Sequence, residues 1–419
     1  MGILCCQQAH CPTMASDGAW LHALTVSCLL VLSLGQSKLY VGDGALRLGG
    51  EKVYLSGVNQ AWVNYACDFG QGHYNKTRPQ LMKTLDSIYD NGGNSLRMWL
   101  HIDGSSTPNF NSSGFVTGLD RYLIHDLTDF LNEAGKRNIL ITLVLWNCAV
   151  KPGHRLGGLL YDDSKLQSYI DNGLRPLVKA LRNNSALGMW EIVNEPEGCV
   201  DVDHASSETC YDTTSLNFLD FADWTHAHVP LQRLLVFIGR QVTAIHEEDN
   251  EALVTVGSWT YKSVTNQFAR RNFYSDHCLQ LASGQNNSGL DLYQIHTYST
   301  LGIYWPTDPF KVSATKYALD KPVIIGEFSQ KKGAGLSAAQ QFSWGYHHGY
   351  SGTWGWSVRG GDPAADNLHV LETGMRELRG QNNQSAGGIV NFVIPSQQSD
   401  SWHMYPIRFF MFLYSFFMN

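Results

Sequence analysis

Two carboxylates stand at the ends of buried runs in this 419-residue chain: Glu195 closes "LGMWEIVNE" (187 to 195), and Glu327 lies in "PVIIGEFS" (322 to 329). A carboxylate at the end of a core strand is costly to hold unless it is hydrogen bonded or functional. One such residue suits a salt bridge with a nearby arginine as well as it suits chemistry. Two of them, with Arg97, Asn194, His296 and Tyr298 at the ends of similar runs, point to groups that work together. Cleaving a glycosidic bond needs such a pair, because one carboxyl must protonate the leaving oxygen while the other attacks or assists at the anomeric carbon.

Aromatic residues crowd the same positions: Trp62, Trp99, Trp146 followed by Asn147, Trp259, and Trp354 with Trp356. Each tryptophan alone suits core packing as well as sugar stacking. Their excess at run ends favours a platform for sugar rings, whose apolar faces match aromatic surfaces. His101 reads equally as a structural histidine. The His347-His348 pair falls in a helix-like segment and reads as an exposed face, so no metal site is assigned.

The elements that must position these groups alternate. Eight apolar, often β-branched runs begin at 53, 94, 139, 187, 253, 290, 322 and 352, separated by segments with apolar residues three and four apart, several ending in Gly or Asn. Eight strand-helix units close most economically as an α/β fold of the (β/α)8 barrel type, in which catalytic groups sit at the C-terminal ends of the strands. An open doubly wound sheet is the alternative, but no G-x-G-x-x-G follows the first run, so the dinucleotide fingerprint is missing.

Composition agrees with a large core: 43% of residues are hydrophobic and 12% aromatic. A net charge of -7 without a Lys/Arg block argues against nucleic-acid binding. The apolar run 20 to 34, followed by Gly35 and Ser37, reads as a secretory signal over 1–37. A membrane anchor is the other reading, although the run is short of the roughly 20 residues that span a bilayer. Sequons at Asn75, Asn111, Asn183, Asn286 and Asn383 fit a secreted glycoprotein. Beyond residue 37 lie Cys67, Cys148, Cys199, Cys210 and Cys278, an odd number, with Cys199 and Cys210 flanking one loop as the most plausible local disulfide.

"WEIVNEPEG", "IIGEF", "QIHTY", "LRMW" and "GTWGWS", in their order and spacing, resemble glycoside hydrolase family five, and within it the endo-β-1,4-mannanases of molluscs and other invertebrates. "GVNQAWVNYACDFG" and "LRMWLHIDG" strengthen the narrower likeness, which covers about residues 38 to 380. The resemblance implies a retaining enzyme acting on a β-mannan polysaccharide, without a cofactor, with Glu195 as acid/base and Glu327 as nucleophile. It further implies that Arg97 bonds the nucleophile, that Asn194 holds the sugar 2-hydroxyl, that His296 and Tyr298 orient the carboxyls, and that Trp356 lies under the sugar. Trp62, Trp99, Trp259 and the pair Trp146-Asn147 are assigned to substrate contact. Many relatives carry a histidine where Trp146-Asn147 stands here.

The expected protein is a secreted monomer with no stable membrane association. An endo-β-1,4-glucanase with the same machinery is the nearest alternative, since the two substrates differ at the sugar 2-hydroxyl, and a sugar-binding barrel is a second. Residues 381–419 match nothing expected of the family and read as an atypical tail, their apolar end fitting a lipid-anchor signal only loosely.

Overall fold

The computed structural model describes residues 38–395 apart from 218, 219 and 221. Expectations for 1–37 and for 396–419 lie outside the described residues. The eight runs form β1 (Leu55–Asn59), β2 (Ser95–Ile102), β3 (Leu140–Asn147), β4 (Leu187–Asn194), β5 (Val254–Ser258), β6 (Tyr293–His296), β7 (Val323–Phe328) and β8 (Gly352–Gly355). They close into one barrel, each parallel to its neighbours.

Helices wrap it: α1 (Tyr74–Asp90), α2 (Leu123–Gly135), α3 (His154–Tyr161), α4 (Asp163–Tyr169), α5 (Arg175–Leu181), α6 (Leu231–Glu248), α7 (Asp276–Ser283), α8 (Ala338–His347) and α9 (Leu368–Leu378). Local chemistry fixes several starts. Asp162 accepts from the amides of Ser164 and Lys165 to open α4, and Ser337 with Gln340 makes a reciprocal capping box at α8. The segment 165–184, periodic throughout, is interrupted by a π turn at Ile170–Leu174, one residue short of Pro176, whose nitrogen has no hydrogen to donate to the preceding turn. Between β6 and β7 the barrel's usual helix is reduced to the 3-10 turn Ala314–Tyr317.

Three short antiparallel strands at Tyr40–Gly42, Ala45–Leu48 and Glu51–Lys52 precede the barrel. At the other end the ordered fold runs past 380. A hairpin pairs Asn382–Asn383 with Gly388–Ile389, the Ile389 carbonyl accepts from the Tyr54 amide, and that of Val390 accepts from Asn94. Residues 381–395 therefore belong to the barrel unit, a correction to the boundary read at 380. Val390 is fully buried and Ile394 is buried too, so apolar residues of "IVNFVI" (389 to 394) help close the barrel unit.

The cysteines also differ from expectation. Cys210 is bonded to Cys278, and Cys199 instead lies with its sulfur 2.7 Å from that of Cys148, both buried. Proximity along the chain suggested Cys199–Cys210; the loop after β4 instead carries Cys210 to α7. Among the described residues no helix is long and apolar enough to cross a membrane.

Candidate active site

Arg97, on β2, is the one lysine or arginine buried among the described residues, and it organises the barrel's C-terminal mouth. Nε donates to Glu191 Oε2 at 2.7 Å, Nη2 to Glu191 Oε1 and to Asn194 Oδ1 (2.6 Å), and Nη1 to Asn59 Oδ1 (3.0 Å) and Glu327 Oε1 (2.7 Å). All five of its N–H groups are thereby used. A buried cation is tolerable only when so paired.

Strand irregularities aim the partners. Thr255 pairs with Glu191 and Gly257 with Asn194, so β4 carries one extra residue there. Glu191 and Asn194, three apart, thus both reach Arg97. A similar shift between β6 and β7 pairs His296 with Glu327. Beyond Asn194 the chain turns at Glu195, which is left-handed (φ 47°, ψ 58°), into the 3-10 turn Pro196–Gly198. That turn lifts the Glu195 carboxylate over the mouth.

His296 stands between the two acids, its Nδ1 2.9 Å from Glu195 Oε1 and 3.6 Å from Glu327 Oε2. One oxygen of Glu195, one of Glu327 and a His296 nitrogen all lie within 4.8 Å of one another. The Tyr298 hydroxyl donates to Glu327 Oε2 at 2.8 Å. Burial holds His296 neutral, far below its usual range, and Arg97 adds to that. The acids are split by their surroundings. Burial and then the charge of Glu327 push Glu195 well up, with no cation bonded to it. Burial also raises Glu327, to about 7, but Arg97 and Tyr298 oppose the rise. Of the two, only Glu327 accepts from a guanidinium and a phenol, partners that favour its ionised form.

Above them opens a cleft of about 600 Å³ lined by Trp62, Trp99, Asn194, Glu195, Trp259, Tyr298, Glu327 and Trp356, among others. Trp99 meets Trp356 edge-on at 5.7 Å, and Trp259 stacks on Tyr298 at 5.6 Å. The sequence assignments of Arg97 and His296 fall directly beneath this cleft. Trp146 does not belong there, which corrects its assignment to substrate contact. It is fully buried, packs on His101, Tyr169 and Phe237, and donates to Gln241 of α6. Its neighbour Asn147 takes the inward face, lines the cleft and accepts from Asn194 Nδ2 at 2.9 Å, as adjacent residues on a strand point opposite ways. His101 is structural, with Nδ1 2.8 Å from Thr107 Oγ1.

Three residues escaped the sequence reading. Glu191 sits inside the apolar run of β4 and looks like a misplaced charge. Glu197, the second acid of "NEPEG", accepts from Ser258 (2.7 Å), Tyr274 (2.9 Å) and the Trp259 amide (2.9 Å), so it fixes the backbone of a cleft tryptophan. Trp224 packs against Trp259 from behind, 5.2 Å away. The spacing of Glu197 two residues after Glu195 was the available signal for the second.

No protein-family model matches the chain. It is 46% identical over 337 residues to a mannan endo-1,4-β-mannosidase of Mytilus edulis, covering 80% of this chain and 92% of that one. It is 40% identical over 342 residues to the enzyme of that name from Cryptopygus antarcticus, covering 81% and 89%. The crystal structure of an endo-1,4-β-mannanase from Eisenia fetida matches with a TM-score of 0.84 at 44% identity, over 85% of this chain and 99% of that one. With this identity over this length, and the acid pair in place at the barrel mouth, the chain belongs to the mannan endo-1,4-β-mannosidase family.

Proposed function

We propose that the protein cleaves internal β-1,4-mannosidic bonds of mannan, galactomannan and glucomannan by a retaining double displacement. The observation that carries the reading is the close approach of Glu195 and Glu327 across His296, their oxygens within 4.8 Å, beneath an aromatic cleft. Retaining enzymes hold their carboxyls about 5 to 5.5 Å apart, whereas inverting ones leave about 6.5 to 9.5 Å for a water.

In the first step a Glu327 oxygen attacks the anomeric carbon while Glu195 gives its proton to the departing glycosidic oxygen. In the second, Glu195 takes a proton from water, the water oxygen bonds to the anomeric carbon, and the ester to Glu327 breaks. Asn194, held by Arg97 and Asn147, faces the 2-hydroxyl. Trp356, tied by its indole N–H to Asp362 (3.1 Å), lies under the ring.

Secretion is the companion proposal. All five sequon asparagines are exposed, and Cys210–Cys278 is the kind of bond an oxidising compartment forms.

The test is reducing-sugar release from unbranched β-mannan and from carboxymethyl cellulose, side by side, with Glu327→Ala as blank. Release from mannan that vanishes in the variant supports the reading. Release from cellulose alone moves the substrate to glucan, and activity surviving in Glu327→Ala removes the nucleophile assignment.

A further inference from the structure

Glu191 is fully buried, lies below the cleft and is not among the residues that line it, yet it makes the closest ion pair in the site. It grips the Nε/Nη2 edge of Arg97 with both oxygens, and Gln294 of β6 donates to Glu191 Oε2 at 2.8 Å. The opposite corner of the guanidinium, Nη1, is left to Asn59 and Glu327. Glycines make room for this arrangement. A Cβ on Gly257 of β5 would overlap Glu191 Oε1 and Arg97 Nη2, and one on Gly326 of β7 would overlap Gln294 Oε1. Two strands therefore give up side chains to accommodate a carboxylate that touches no substrate.

A bidentate carboxylate is the strongest partner a guanidinium has. Without Glu191, Arg97 could turn that edge toward Glu327 and place its whole charge there, which would favour the ionised nucleophile and blunt its attack. We propose that Glu191 is a positioning residue: it holds Arg97 so that the cation gives Glu327 one hydrogen bond rather than two, and it shares Arg97's charge between the two carboxylates. The inference rests on the reading of Glu327 as nucleophile.

The groups that face Glu327 are Arg97 from β2, Glu191 and Glu195 from β4 and the turn after it, His296 from β6, and Tyr298 just beyond it, with Lys332 and Asp362 on the cleft wall. His296 is held neutral. The negative charge of Glu191 acts upward on both catalytic acids. Removing it must lower both.

The experiment is the pH profile of kcat/KM on mannan for wild type, Glu191→Gln and Glu191→Asp, with Glu327→Ala alongside. Glu191→Gln should move both limbs to lower pH by about one unit and reduce kcat about tenfold or more, with KM little changed. Glu191→Asp keeps the charge but is one methylene short, so its limbs should move less than those of Glu191→Gln while its kcat falls. A bell of unchanged position in Glu191→Gln, with Glu327→Ala inactive, overturns the inference alone. Should Glu191→Gln fail to fold, Glu191→Asp decides: a wild-type kcat there overturns the positioning role. Activity in Glu327→Ala would instead bring down the underlying reading.

Discussion

The amide of Glu195 donates to the carbonyl of Gly257 across 2.7 Å, joining the end of β4 to β5 while the Glu195 backbone is held in the left-handed region. For a residue with a Cβ that conformation costs on the order of 1 to 2 kcal/mol, and the carboxylate it presents is itself buried against Glu327. Glycine has no such backbone cost. Glu195→Gly should therefore melt above Glu195→Ala by about 2 °C, with both variants inactive on mannan. Thermal unfolding of the pair checks this, and an alanine variant at least as stable as the glycine one would deny the strain.

Tyr298 offers a second check on the split between the acids. Burial raises Glu327 to about 7 while Arg97 and then Tyr298 pull it down. Tyr298→Phe deletes a donor to the ionised form, so the pKa must climb. Because the nucleophile works ionised, the acid limb of kcat/KM should move to higher pH, by roughly half a unit to one unit. A limb that stays or moves down would place the low-pH ionisation on another group.

Trp146 separates packing from binding. It fills the space between β3 and the helices, against Tyr169 and Phe237. Trp146→Ala should cost about 3 to 5 kcal/mol of stability, and at temperatures where the variant stays folded its KM for mannan should equal that of wild type. A KM raised severalfold in a folded variant would return Trp146 to the cleft.

These cases show what a one-dimensional reading can reach. Glu195 and Glu327 were legible because an acid at the end of an apolar strand is conspicuous, and the barrel because eight strand-like runs recur. Trp146 and Asn147 were both assigned to the substrate because a strand end does not reveal which of two adjacent residues faces inward; only Asn147 lines the cleft. Glu191 stayed hidden because its justification is a residue 94 positions away, Arg97. The hairpin after 380 was missed for the same reason. Its stability comes from Tyr54 and Asn94, not from its own pattern.

The Cys210–Cys278 bond spans 68 residues, from the loop after β4 across β5 to α7. Closing a loop of that length stabilises the fold by about 4 kcal/mol in the chain-entropy account. Peptide mapping without reductant should recover the two cysteines in one cross-linked fragment, and Cys278→Ser should lower the melting temperature markedly. A fragment joining Cys199 to Cys210 would contradict the connectivity described here.

Azide distinguishes the two acids by stereochemistry. In Glu327→Ala the face opposite the leaving group is open, so azide takes the nucleophile's place and an activated aryl β-mannoside should yield α-mannosyl azide. In Glu195→Ala, Glu327 still forms its ester with an activated leaving group that needs no proton. Azide then attacks that ester from the other face, where Glu195 no longer repels an anion, and should yield β-mannosyl azide. Rate loss on mannan without azide should be about 100-fold or more in either variant. Product of one anomer from both variants, or the two anomers exchanged, would overturn the assignment of acid/base to Glu195 and nucleophile to Glu327.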